Sequence, residues 1–122
     1  MHVAKDLVAA SATPIVLGIL AGGESYGYAI LKQVSEVSGG ELAWTEGLLY
    51  PLLHRLERLG HIEAKWRTSP NGRRRKYYQI TDQGLAELGD QRRQWAAVVD
   101  ALKNTWQTAG EPRPAAPRPA EA

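Results

Sequence analysis

The sequence predicts a mainly α-helical domain that carries one small β-hairpin and runs into a long C-terminal helix. Three observations predict it. Apolar residues group into three helix-length segments before residue 60, each closed by glycine. The stretch "SPNGRRRKYYQIT", Ser69 to Thr81, places an Asn-Gly step between two strand-like runs, the strongest short hairpin signal in the chain. From Leu85 onward the apolar positions step by three and four along what reads as one helix.

Met1 to Ala12 is compatible with an irregular arm or a short helix. Thr13-Pro14 reads as an N-cap followed by a first helical residue, where proline loses no hydrogen bond. Pro14 to Ala21 is apolar nearly all round and so should be buried. Gly22-Gly23 stops it. Ser25 is the next N-cap by composition, with Tyr26, Ile30 or Leu31, Val34 and Val37 spaced for a second helix that ends at Gly39-Gly40.

Thr45 caps a third helix, 45–59, with Leu48, Leu49, Leu52, Leu53, Leu56 and Leu59 as its buried stripe. Pro51 lies past the first turn, where it removes a backbone hydrogen bond, so a kink or widened turn is expected. Ile62 to Arg67 alternates, with Ile62, Ala64 and Trp66 predicted to face inward. The return strand is placed at about Lys76 to Ile80, with Tyr78 and Ile80 inward and Tyr77 and Gln79 outward. Trp44 and Trp66 are both expected in the core. Thr81 caps the last helix, whose seam is Leu85, Leu88, Trp95, Val99, Leu102 and Trp106, with Arg92 filling one gap. The Pro/Ala-rich segment that follows reads as a disordered tail. The predicted organisation is an arm or short helix over 1–12, a winged helix-turn-helix over 13–81, a dimerisation helix over 82–109 and the tail over 110–122.

The chain has 122 residues, enough for one small domain. Without cysteine it has no disulfide, thiolate metal site or cysteine nucleophile. His2, His54 and His61 do not stand at a zinc-ligand spacing, and no cofactor is expected. No secretory signal is visible, and the longest apolar run is far short of the ~20 residues that span a bilayer, so the expectation is a soluble, cytoplasmic protein. The carboxylates are scattered, and no Ser-His-Asp set assembles by spacing. "GGESYG" lies between two helices, where a nucleophile elbow needs a preceding strand, so an enzyme is not expected.

Charge is distributed unevenly. Residues 54–76 hold eight cationic side chains against two carboxylates, a net of +6 where the whole chain carries +2. This is the footprint of a contact with nucleic acid or another acidic surface. The exposed face of helix 45–59 offers Thr45, Tyr50 and His54 as hydrogen-bonding groups and Arg55 and Arg58 as phosphate partners, a set that suits a major groove. The hairpin adds Arg73, Arg74, Arg75 and Lys76, four consecutive cations that repel one another unless something relieves them. A wing lying on a DNA backbone or in a minor groove would do so. The competing reading is a winged-helix interaction module whose wing binds an acidic protein. The seam of the last helix, with Leu88, Trp95, Val99, Leu102 and Trp106, argues for a homodimer. Two recognition helices about 34 Å apart would then read a pseudo-palindrome in double-stranded DNA.

"SYGYAILKQV", "GGELAWTEGLLYPLLHRLERLGHI" and "GRRRKYYQIT", in this order, resemble the PadR family of bacterial winged-helix transcriptional regulators. The resemblance covers about residues 13–106. A short chain with a single C-terminal helix is similar to the smaller subgroup of that family. The resemblance implies that "LLYPLLHRLE" is the recognition helix, with Tyr50, His54 and Arg55 near DNA and Pro51 a familiar feature. "GRRRKYY" would be the wing, setting Arg73, Arg74 and Lys76 on the backbone or in the minor groove. The helix after "QIT" would be the dimerisation helix of a homodimeric repressor, many of which are released by small aromatic or cationic effectors. Trp95 resembles a tryptophan that stacks planar ligands between subunits in some such proteins, with Val99 as an apolar wall. The alternative is that Trp95 simply packs the dimer core.

Overall fold

The computed structural model describes residues 2–109, so the expected tail over 110–122 lies outside the described residues. The order is α1 (Lys5–Ala21), β1 (Ser25–Tyr26), α2 (Gly27–Val37), α3 (Glu46–Arg58), β2 (Ile62–Thr68), β3 (Arg74–Ile80) and α4 (Asp82–Ala109). The chain divides into two units, residues 1–91 and 92–122.

The first helix starts nine residues before Pro14, at Lys5, and Thr13-Pro14 lies inside it rather than at its head. An interior proline costs a helix about 3 kcal/mol. Residues 5–12 are rich in alanine and other good helix formers. Continuing the helix also buries Ala12 and packs Val8 against the core. Side by side with Val16, Leu17 and Leu20 of α1 stand Ile30 and Val34 of α2 and Leu49, Leu53 and Leu56 of α3, all essentially inaccessible. At roughly 1.5–3 kcal/mol for each large side chain removed from water, this apolar contact is what holds the three helices together.

Thr45 caps α3 as expected: its Oγ1 accepts a hydrogen bond from the Leu48 N–H at 3.2 Å. The helix continues unbroken through Pro51. Gly60, at φ 79°, turns the chain out of it into β2.

Ser25 is not a cap. Ser25 and Tyr26 form a short strand against Tyr78 and Tyr77, so the hairpin is part of a three-stranded antiparallel sheet of order β1-β3-β2. Tyr26 then takes the N-cap position of α2 without a side-chain hydrogen bond. The return strand begins at Arg74, two residues earlier than expected, and pairs Thr68 with Arg74 and Ile62 with Ile80. The tip is Ser69–Arg73. There the Gly72 N–H meets the Ser69 carbonyl at 2.9 Å, around Pro70 and Asn71 in the central positions of a β-turn.

Trp44 is buried, but Trp66 is 58% exposed, contrary to the expectation that it joins the core. Alternation sets Trp66 on the same sheet face as Ile62 and Ala64, but the strand outruns the core after Ala64. Tyr78 is buried as expected, and Tyr77 and Gln79 take the opposite face beside Lys65 and Glu63, half-buried there, Tyr77 because Tyr26 meets its ring edge-on at 5.4 Å.

Thr81 ties the start of α4 to the end of α3. Its Oγ1 accepts from the Gly84 N–H at 3.0 Å and donates to the Gly60 carbonyl at 2.6 Å. Within the first unit, Leu88 packs against the core. Within the second, α4 exposes Val98, Val99, Leu102 and Trp106, while Trp95 is half-buried.

Candidate nucleic-acid interface

The open face of α3, the start of α2 and the wing enclose a groove of about 620 Å³. Tyr50 and His54 come to it from α3, Trp66 and residues 73–76 from the wing, and Tyr28, itself well exposed, from α2.

Strand geometry relieves the self-repulsion of three of the four cations, Arg74, Arg75 and Lys76, while Arg73 lies in the tip. Successive side chains on a strand point to opposite faces. Arg74 and Lys76 fall on the face of Trp66 and Tyr78, and Arg75 on the face of Tyr26 and Tyr77. Each then stacks on a ring: Arg74 over Trp66 at 5.3 Å, Arg75 over Tyr26 at 4.4 Å and Lys76 over Tyr78 at 5.5 Å. Exposed cation–π contacts of this kind contribute about 0.5–1 kcal/mol each. Arg67 and Arg75 are paired directly across the ladder, a destabilising juxtaposition of like charges. Glu24 relieves it by an ion pair with Arg67, which also lies over Tyr77 at 5.8 Å. The wing is therefore a ribbon of alternating rings and cations.

Lys76 differs from the arginines. Its Nζ lies 3.8 Å from a Glu57 carboxylate oxygen on α3, so it bridges the wing to that helix. Tyr78 stands behind the same contact. Burial first, then the Glu57 carboxylate and Tyr50, push its phenol above the ordinary 10.0, so it stays protonated as a neutral core group.

A profile of the transcriptional regulator PadR-like family matches residues 16–90, more than half of the chain. The chain belongs to this family. It is a family of transcriptional regulators, not of enzymes. Among solved structures, a transcriptional regulator from Clostridium thermocellum is 27% identical, with 82% of this chain and 97% of that one covered and a TM-score of 0.75. A PadR-like transcriptional regulator from Bacillus cereus is 30% identical over 83% of this chain and 96% of its own, with a TM-score of 0.74. Uncharacterized protein X of Lysinibacillus sphaericus is 31% identical over 100 residues, 82% of this chain and 92% of its own. The α-helices and small sheet described above are the winged-helix fold of the PadR-like regulators. No helix among the described residues is long and apolar enough to cross a membrane.

The site residues expected from sequence separate into groups. Tyr50, His54 and Arg73, Arg74, Arg75 and Lys76 share the groove. Thr45 stands at the exposed head of α3, occupied as its cap. Arg55 turns the other way, donating to Thr13 Oγ1 on α1 at 3.4 Å. Arg58 lines a separate shallow depression with His54 and Glu57. Trp95 and Val99 belong to the second unit. Sequence reasoning missed Tyr26, Tyr28, Trp66 and Glu57 as parts of the site. A two-residue strand has no periodicity to detect, and "SYGY" was the only local sign of one.

Proposed function

We propose that this PadR-like regulator is a homodimeric DNA-binding repressor that occludes a promoter containing a pseudo-palindromic site. The observation that carries the reading is the convergence of the α3 face and the wing cations on one groove. Tyr50 and His54 are hydrogen-bonding groups suited to base edges, and Arg73, Arg74 and Arg75 are guanidiniums suited to phosphates or a narrow minor groove. Lys76 acts mainly as the strut between wing and α3. The exposed seam of Val99, Leu102 and Trp106 supports a homodimer, which would set two recognition helices about one helical turn of DNA apart.

Fluorescence anisotropy with DNA upstream of the protein's own gene, against scrambled DNA over a salt series, tests this. Tight, preferential and steeply salt-dependent binding is expected. Equal binding to both DNAs, or none, would instead favour a winged-helix module with an acidic protein partner.

Trp95, half-buried on the seam beside Val99, supports a subsidiary effector site for a small planar aromatic or cationic molecule, whose binding would shift the spacing of the recognition helices. Trp95→Ala should abolish tryptophan quenching by a planar cationic dye while leaving the dimer intact. Quenching that persists would remove Trp95 from that role.

A further inference from the structure

Gly27 is the first residue of α2 and is buried. The phenol of Tyr50, reaching over from α3, lies directly across it. A Cβ on Gly27 would stand 2.2 Å from Tyr50 Oη, 2.7 Å from Cζ and 3.1 Å from Cε1. The first two separations are shorter than any real carbon contact. The backbone at Gly27 is outside the left-handed region, so local conformation does not call for glycine. Alanine is the better helix former at such a position. The demand for glycine comes from Tyr50, which uses the missing side chain as its seat.

The seat has a consequence for the groove. With its ring held against α2, Tyr50 is still 37% exposed and lines the groove with His54. A residue that displaced the ring would push it toward the space that the groove leaves open, because helical sterics allow Tyr50 few alternative rotamers. The neighbouring Tyr26 holds Arg75 at 4.4 Å on the other side of the same step. Two consecutive residues therefore set a side chain of the helix and a cation of the wing.

We propose that Gly27 is a positioning residue for DNA recognition: it fixes the orientation of Tyr50 without touching DNA itself. The assignment rests on the reading of α3 as the recognition helix.

The test uses the full chain in four forms: wild type, Gly27→Ala, Tyr50→Ala and the double variant. Affinity for the promoter fragment and thermal unfolding are measured for each. Gly27→Ala should weaken binding about tenfold and lower the melting temperature, a coupling of the size seen between touching residues. In the Tyr50→Ala background the same change should leave affinity as it is and raise the melting temperature, because the clash is gone and the helix gains alanine. The reversal of sign in melting temperature reports the seat itself, and a seat with no role in recognition would show it while Gly27→Ala kept wild-type affinity. Wild-type affinity in Gly27→Ala, or an equal further loss in the double variant, would overturn the assignment. Should Gly27→Ala not fold, a folded double variant supports the seat and an unfolded one overturns it. A wild-type protein with no preference for promoter DNA overturns the DNA reading, and with it the role in recognition, while the melting temperatures still report whether Tyr50 sits on Gly27.

Discussion

Removing the wing cations one at a time should change the salt dependence of DNA binding unequally. Arg74 and Arg75 are supported by ring faces at 5.3 and 4.4 Å, which leaves the N–H edges of a guanidinium available for phosphate oxygens. Lys76 is already partnered by Glu57 at 3.8 Å. Each phosphate neutralised adds about 0.9 to the slope of log affinity against log salt, equivalent to about eightfold in affinity at ~0.1 M salt. Arg75→Ala should therefore bind about eightfold more weakly at that salt, and the Arg74→Ala/Arg75→Ala pair about 60-fold, with the slope falling by about 0.9 and 1.8. Lys76→Met should leave the slope where it is and weaken binding only through the uncovered Glu57 carboxylate. Stability should fall by about 0.5–1 kcal/mol for each lost arginine stack, small enough to keep the protein folded during the assay. Anisotropy titrations of the promoter fragment, from about 50 to 200 mM salt, read all three slopes. An unchanged slope in the double arginine variant, or a full unit lost with Lys76→Met, would refute the reasoning.

Three further outcomes are expected. A Cβ at Gly84 would lie 2.0 Å from the His61 carbonyl oxygen, so Gly84→Ala should destabilise the first unit by about 2 kcal/mol in urea unfolding despite the helix propensity of alanine; a more stable variant would show that the backbone there yields easily. Because the folded state holds the Tyr78 phenol above 10.0, its contribution to stability is complete below pH 10.0 and is lost as pH rises through the raised folded value. The loss runs at up to about 1.4 kcal/mol per pH unit, and Tyr78→Phe should flatten this part of the alkaline unfolding profile. Leu102→Asp should convert the proposed dimer to monomers in sedimentation while circular dichroism still reports a folded first unit; a persisting dimer would place the interface elsewhere.

Much of the architecture was legible because its signals are local. A leucine stripe with 3.6-residue spacing and a threonine at its head specify α3 whatever packs on it; Leu49, Leu52, Leu53 and Leu56 are buried as expected, Leu48 is half-buried, and Leu59, past the last turn, is exposed. The hairpin and the long last helix announce themselves by alternation and by steps of three and four. Helix boundaries were less legible. Thr13-Pro14 satisfies the rule for a helix start, but the rule cannot weigh the burial of Ala12 and the packing of Val8 that carry α1 back to Lys5. Trp66 failed in the opposite sense, since its face is right and only the extent of the core beneath it decides burial.

What the sequence by itself determined was the order of helices and wing, the concentration of positive charge in the middle of the chain, and the resemblance that placed it among PadR-like regulators. Only the tertiary structure decided how Arg74, Arg75 and Lys76 coexist, that Lys76 belongs as much to Glu57 as to the wing, that Arg55 faces α1, and that Gly27 lies beneath Tyr50. The physical reason is range. Propensity, capping and periodicity act between residues a few positions apart. Stacking of Arg75 on Tyr26, pairing of Lys76 with Glu57 and seating of Tyr50 on Gly27 join segments that meet only after the chain has folded.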